Sequence, residues 1–246
     1  MMPAVTWTRH DGWADVVLNR PERRNAIEGT LAAALGEALR AVNADAEVRA
    51  IVLRGAAGAF CSGLDLKAFA EEPAPAWKAG FAQAWDDVHG LLLESPKVLV
   101  VALERYAING GAALALAGDV LIAGETAYLQ VGEIQIGMAA PRNLAWLVLR
   151  HSEAVAARLA LLGERVAAPE LLRLGVANEV VPDADVVTRA HMLAAQIGAY
   201  PAAGVAAVKT GLRAARAQMP PRHWLGACAQ ALPAGPDLPL APPPRP

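Results

Sequence analysis

Short apolar runs and stretches whose apolar positions recur at helical spacing succeed one another along much of the chain. Val5 to Arg9 and Ala14 to Leu18 read as two strands joined at Asp11-Gly12, a strong short-hairpin dipeptide, before Asn19-Arg20-Pro21-Glu22 breaks the run. From Glu28 to Val42 the residues Leu31, Leu35, Leu39 and Val42 fall on one helix face. Val48 to Leu53 is a β-branched-rich strand ended by Arg54-Gly55, Ala76 to Leu93 a helix stopped by Ser95-Pro96, and Val98 to Leu103 a buried strand. Gly110 to Ala117 reads as a helix of small residues and Val120 to Ala123 as the next strand. Strands alternating with helices predict a mainly parallel sheet with right-handed crossovers.

Beyond Glu133 the pattern turns helical. Asn143 to Arg150, Glu153 to Leu162 and Pro169 to Leu174 read as helices, the last with Pro at its first position and Gly175 after its end. A short strand, Val176 to Val181, precedes helices from about Ala184 to Ile197 and from Ala202 to Ala217. The expected organisation is an α/β core over 1–183, a helical C-terminal region over 184–232 and a Pro-rich tail over 233–246. Seven prolines in the last fourteen residues forbid regular hydrogen-bonded structure there, so a mobile tail is expected. No repeat spans the chain.

Composition narrows the function class. A chain of 246 residues with 55% hydrophobic content is long and apolar enough for one large core. A formal charge of -2 and a pI near 6.2 leave no footprint for nucleic acid or an anionic membrane surface, and Arg20, Arg23 and Arg24 are the only tight basic group. Cys61 and Cys228, the two cysteines, suggest a reducing compartment. Met1 to Trp13 lacks the basic-then-apolar order of a leader, and no run reaches about eighteen apolar residues. The expectation is a soluble cytoplasmic protein with no nucleic-acid or membrane partner. Metal binding is disfavoured by the lack of Cys-x-x-Cys or His-Glu-x-x-His spacing.

Candidate chemistry sits in two segments, Ala59-Phe60-Cys61-Ser62-Gly63-Leu64-Asp65-Leu66 and Tyr106-Ala107-Ile108-Asn109-Gly110-Gly111-Ala112-Ala113. Each follows a run that reads as a buried strand, and each is able to turn a backbone N–H toward a ligand. Two such donors converging on one point make an oxyanion hole, which stabilises an enolate or tetrahedral anion. Together with Leu18-Asn19-Arg20-Pro21-Glu22-Arg23-Arg24-Asn25-Ala26-Ile27, these segments resemble the crotonase family, also called the enoyl-CoA hydratase/isomerase family. The resemblance runs from about Val5 to Lys209, whereas Met219 to Pro246 departs from the family's usual C-terminal helix.

The resemblance implies an α/β crotonase-like spiral of ββα units, a homotrimer or dimer of trimers, and an acyl-CoA thioester as substrate. Coenzyme A is then part of the substrate, and no separate cofactor is implied. By motif position, the amides of Leu64 and Gly110 form the oxyanion hole. Glycine at 110 allows close approach, and the helix it opens adds positive potential where the enolate oxygen forms. Arg24, Ala26 and Ser62, with Arg23 as a weaker candidate, fall where the family holds the coenzyme end; an arginine fork suits phosphate.

Two glutamates handle water in the family's hydratases. The first position is Ala113 here, and a methyl group transfers no proton; the second is Glu133, in Val131-Gly132-Glu133-Ile134. One carboxylate beside an oxyanion hole suffices for a 1,3-proton shift, so an enoyl-CoA isomerase is mechanistically preferred. Hydration stays open if Glu133 serves as both base and acid, and Gly137-Met138-Ala139-Ala140-Pro141 resembles a stretch of proteins labelled enoyl-CoA hydratases of fatty-acid or related acyl-CoA metabolism. Other crotonase-type reactions (a decarboxylase, a thioester hydrolase) and a degenerate acyl-CoA-binding paralogue also stay open. Glu104-Arg105 replaces the family's usual Asn-Gly.

Other reactive residues read blandly. Cys61 has no histidine in a partner motif, so a nucleophile is rejected. Asp65 and Asp119 read as loop or cap residues, and His10, His89, His151, His191 and His223 as surface or structural. Trp77, Phe81 and Trp85, at helical spacing, are core residues or part of an acyl pocket wall.

Overall fold

In the computed structural model, which describes residues 2–214, the alternation becomes two sheets and a set of covering helices. The strands are β1 (Val5–Arg9), β2 (Trp13–Leu18), β3 (Ala50–Gly55), β4 (Val98–Leu103), β5 (Tyr106–Ile108), β6 (Val120–Gly124), β7 (Tyr128–Gln130), β8 (Arg165–Ala167) and β9 (Glu179–Val181). The main sheet has the order β1-β2-β3-β4-β6-β9; β1 is antiparallel to β2 and every other neighbour is parallel. A smaller sheet, β5-β7-β8, stands beside it. Its strands are three residues each, too short to leave a periodic signal in the sequence.

Strand residues alternate between two cores because successive side chains leave opposite faces of a sheet. Val16, Leu18, Ile51, Leu53, Val101 and Leu103 pack with α1 (Gly29–Ala44) and, further along, the helix α2 (Leu66–Phe69) is followed by α3 (Phe81–Glu94), which covers the same face. Trp13, Ala50, Val52, Val100, Ala102 and Ile122 face the other way. Burial on both faces explains why β3 and β4 read as continuous apolar runs. Leu31, Leu35 and Leu39 of α1 are fully buried, and each contributes about 1.5–3 kcal/mol. The carboxylate of Glu28 caps α1, accepting from Leu31 N–H at 3.0 Å and Thr30 N–H at 2.9 Å.

The remaining helices are α4 (Gly110–Leu116), α5 (Pro141–Arg150), α6 (Glu153–Leu162), α7 (Ala168–Arg173), α8 (Val186–Gly198) and α9 (Ala202–Ala214). Through Val186, Ala190 and Ala194, α8 covers the second face of the main sheet. Lys209 ties α9 to the core, its Nζ donating to Asp119 Oδ2 at 2.6 Å, while Arg150 donates to Asp119 Oδ1 at 3.2 Å. Burial pushes the Asp119 carboxyl up, but those two cations and the Leu99 N–H hold it below the usual range. The expected mobile tail over 233–246 and the end of the last helix lie outside the described residues. Among the described residues no helix is long and apolar enough to cross a membrane, and no cluster of three His, Cys, Asp or Glu is placed to hold a metal.

One helix begins later than its sequence pattern. The spacing of Trp77, Phe81 and Trp85 predicts a helix from Ala76, yet α3 starts at Phe81 after a 3-10 turn, Lys78–Gly80. Trp77 instead packs over Gly29 and edge-on against Phe69, with ring centroids 4.9 Å apart. A local aromatic cluster thus mimics helical periodicity.

The Asn-Arg-Pro-Glu stretch supports the loop before α2. Asn25 is fully buried at φ 54°, accepts from Arg20 N–H, and donates to the carbonyls of Ala56 at 3.1 Å and Ala59 at 2.7 Å. Arg20 donates to the Ala26 carbonyl at 2.6 Å and to Asp65 at 3.1 Å. Asn25→Ala is expected to destabilise the fold by about 2–4 kcal/mol, because it strands buried backbone groups at a left-handed position. Urea denaturation checks this, and a loss under about 0.5 kcal/mol would contradict it.

Candidate active site

The chain at 61–65 runs between two partners. Cys61 pairs with Ala107 and Leu64 with Ile27, as isolated parallel bridges. At the second bridge Ile27 N–H donates to the Gly63 carbonyl and Asp65 N–H to the Ile27 carbonyl, both at 2.8 Å. In such a pairing the intervening residue turns its own amide the other way. The Leu64 N–H therefore faces away from Ile27 and has no hydrogen-bond acceptor among the described residues. Gly63 allows this approach: its φ is 92°, and a Cβ would stand 2.9 Å from the Ile108 carbonyl oxygen.

Gly110 is the first residue of α4, where backbone amides lack intrahelical acceptors. Asn109, at the N-cap, does not supply one. Its backbone is at φ 51° and ψ −114°, and its Oδ1 accepts instead from Gly132 N–H at 2.8 Å. The Gly110 N–H is thus also without an acceptor among the described residues. Leu64 and Gly110 line the same cavity of about 510 Å³, and a Cβ built on Gly110 would lie 3.9 Å from Leu64 Cδ2.

Glu133 opens a 3-10 turn, Glu133–Ile136, and lines that cavity too. Its Oε1 accepts from Asn143 Nδ2 at 2.9 Å, whereas Oε2 is enclosed and has no partner among the described residues. Burial pushes the carboxyl up to about 7, outweighing the hydrogen bonds from its own N–H and from Asn143 that favour the ionised form. A carboxyl poised there takes and returns protons near neutral pH. Ala113 presents a fully buried methyl to the cavity.

The rest of the wall is mostly apolar. Phe81 and Trp85 contribute from α3, Ile136 and Met138 from the segment after Glu133, and Leu66 and Pro141 complete it. Phe81 and Trp85 therefore belong to both the core margin and the pocket, while Trp77 lies outside the lining. Asp86 and Arg142, also in the wall, form an ion pair across α3 and α5.

The candidates for the coenzyme end are arranged differently. Ser62 lines the cavity, and its N–H donates to the Arg24 carbonyl at 3.2 Å. Arg24 is exposed at φ 55° and Ala26 is buried; neither is part of the lining, and the Ala26 carbonyl already accepts from Arg20. Cys61 is fully buried and its thiol is pushed up to about 12 by burial, so it supplies no thiolate. Asp65 caps α2 through Ala68 N–H at 3.2 Å. His89 is enclosed, accepts from Trp146 Nε1 at 2.9 Å, and is held neutral by burial, with its pKa down at about 3. Asn143, buried at 2% exposure and touching Glu133, is the site residue the sequence did not disclose.

Comparison with known proteins gives a consistent neighbourhood. Residues 8–224 match the family described as Enoyl-CoA hydratase/isomerase. The chain is 31% identical over 219 residues to the 1,2-epoxyphenylacetyl-CoA isomerase of Escherichia coli, covering 87% of this chain and 84% of that one. It is 33% identical, also over 219 residues, to a carnitinyl-CoA dehydratase of Proteus mirabilis, covering 87% and 82%. A crystal structure of an enoyl-CoA hydratase/isomerase from Mycobacterium paratuberculosis superposes with a TM-score of 0.80 at 26% identity, covering 94% of each chain.

Proposed function

The chain belongs to the enoyl-CoA hydratase/isomerase family, and from that membership we propose that it shifts a double bond in the acyl group of a coenzyme A thioester, from 3-enoyl to 2-enoyl. Glu133 removes a proton from C2. The electrons delocalise onto the thioester oxygen, where the N–H groups of Leu64 and Gly110 hold the enolate. The protonated Glu133 then returns the proton to C4, and the double bond comes to rest between C2 and C3. Arg24, Ala26 and Ser62 take the coenzyme end, and the apolar wall with Phe81 and Trp85 takes the acyl tail.

The observation that carries this reading is the carboxylate pattern of the cavity: Glu133 is enclosed, the other lining carboxylate, Asp86, is in an ion pair with Arg142, and a methyl stands at 113, where a hydratase would need its second glutamate. Incubation with 2-enoyl and 3-enoyl thioesters in deuterated water tests it. Deuterium is expected at C2 and C4 with no net addition of water, and rapid net hydration by the wild type would overturn the preference. Ala113→Glu, which restores a second carboxylate, is expected to add hydration that the wild type lacks. Water addition is the second reading, favoured by the dehydratase among the relatives. A cytoplasmic homotrimer or dimer of trimers completes the proposal, with light scattering as its check.

A further inference from the structure

Glu133 is gripped at one oxygen, and the grip extends to the other half of the site. Asn143 Nδ2 donates to Glu133 Oε1 at 2.9 Å and to the Asn109 carbonyl at 3.1 Å. Both partners are acceptors, so the amide can present only its NH₂ end to them. The Asn109 carbonyl and the Gly110 N–H are opposite ends of one trans peptide plane. Whatever orients the carbonyl therefore aims the N–H in the reverse direction. Asn109 closes a ring on the other side, its Oδ1 accepting from the N–H of Gly132, the residue before Glu133.

Resting on the roles read above for Glu133 and Gly110, we propose that Asn143 is a positioning residue that couples the base to the oxyanion donor. It anchors Glu133 through Oε1, leaves Oε2 to carry the proton, and aims the Gly110 N–H by holding the Asn109 carbonyl. No fixed charge does this work. Among the described residues, the charged ones of the cavity wall besides Glu133 are Asp86 and Arg142, which pair with each other. Helix α6 reaches the 3-10 turn near Gly163, whose carbonyl accepts from Gln135 rather than from Glu133.

The test uses the full chain with Asn143→Ala and the near-isosteric Asn143→Leu, which keeps the bulk but loses the donor and adds no titrating group. Infrared or carbon NMR titration of isotope-labelled glutamate carboxyls reads Glu133 without substrate, and pH profiles read turnover of a 3-enoyl thioester. Losing a donor to the ionised form moves the Glu133 midpoint upward, so the acid limb of kcat moves to higher pH in both variants. At the plateau kcat is expected to fall about 10- to 100-fold, with KM within about threefold of wild type. If Asn143→Ala does not fold, Asn143→Leu supplies the same two readouts. A midpoint and a kcat that stay at wild-type values overturn the proposal. The substrate-free titration separates the claims: absence of proton exchange by the wild type defeats the isomerase reading, whereas an unmoved midpoint defeats the role of Asn143.

Discussion

Glu133→Gln is expected to lower kcat for deuterium exchange and isomerisation by about 10²- to 10⁴-fold, the range typical of a positioned general base. Gln keeps the shape and the hydrogen bond from Asn143 but accepts no proton at working pH. Substrate binding is expected to persist, so the loss appears in kcat rather than KM. In the wild type, kcat should rise with pH through about 7, because the base must be ionised and burial has raised its carboxyl to that value. The same shift has a sign for stability. The folded state binds this proton more tightly than the unfolded chain, so the favourable contribution is complete below the ordinary carboxylate range and is lost as pH rises through about 7. Glu133→Gln should therefore be more stable than wild type on the alkaline side and lose that advantage in acid. Denaturant titration at both ends reads it, and retained exchange in the variant removes Glu133 from the mechanism.

Replacing the Gly110 amide by an ester, through incorporation of glycolic acid at that position, is expected to cost about 10²- to 10³-fold in kcat. The substitution deletes a single N–H and adds no side chain. As the first helical residue, Gly110 donates no intrahelical bond, but the ester also weakens the Asn109 carbonyl, which accepts from Ala113 N–H at 3.0 Å and from Asn143 at 3.1 Å, so α4 should form with a stability loss of about 1 kcal/mol, read by denaturation beside the kinetics. A side-chain exchange would blur the result, since a Cβ at 110 would approach Ile27 Cδ1 to 3.2 Å. Kinetics within about threefold of wild type would show that this amide carries no developing charge.

How far the sequence disclosed this arrangement depended on the range of each interaction. The buried parallel strands were legible because burial on both faces leaves continuous apolar runs, as in Val98–Leu103. Leu64, Gly110 and Glu133 were legible through motif order, and the structure brings all three to one cavity. The strands of the second sheet were not, because three residues carry no measurable period. Asn143 was not legible either. Its partners lie 10 and 34 residues away, and an Asn near a helix start ordinarily reads as a surface polar group. Asn109 stood in the motif, but its diversion from capping α4 to accepting from Gly132 is decided by the packing of two loops.

The aromatic lining on α3 and the hydrogen-bonded ring of Asn109, Gly132, Glu133 and Asn143 belong to separate stretches of polypeptide. On the proposed function, exchange of Phe81 or Trp85 is therefore expected to change which acyl tail fits while leaving the hydrogen bonds of the ring in place. The breadth of the pocket and the aim of its polar groups are thereby set by different parts of the polypeptide, so one can be re-engineered without disturbing the other.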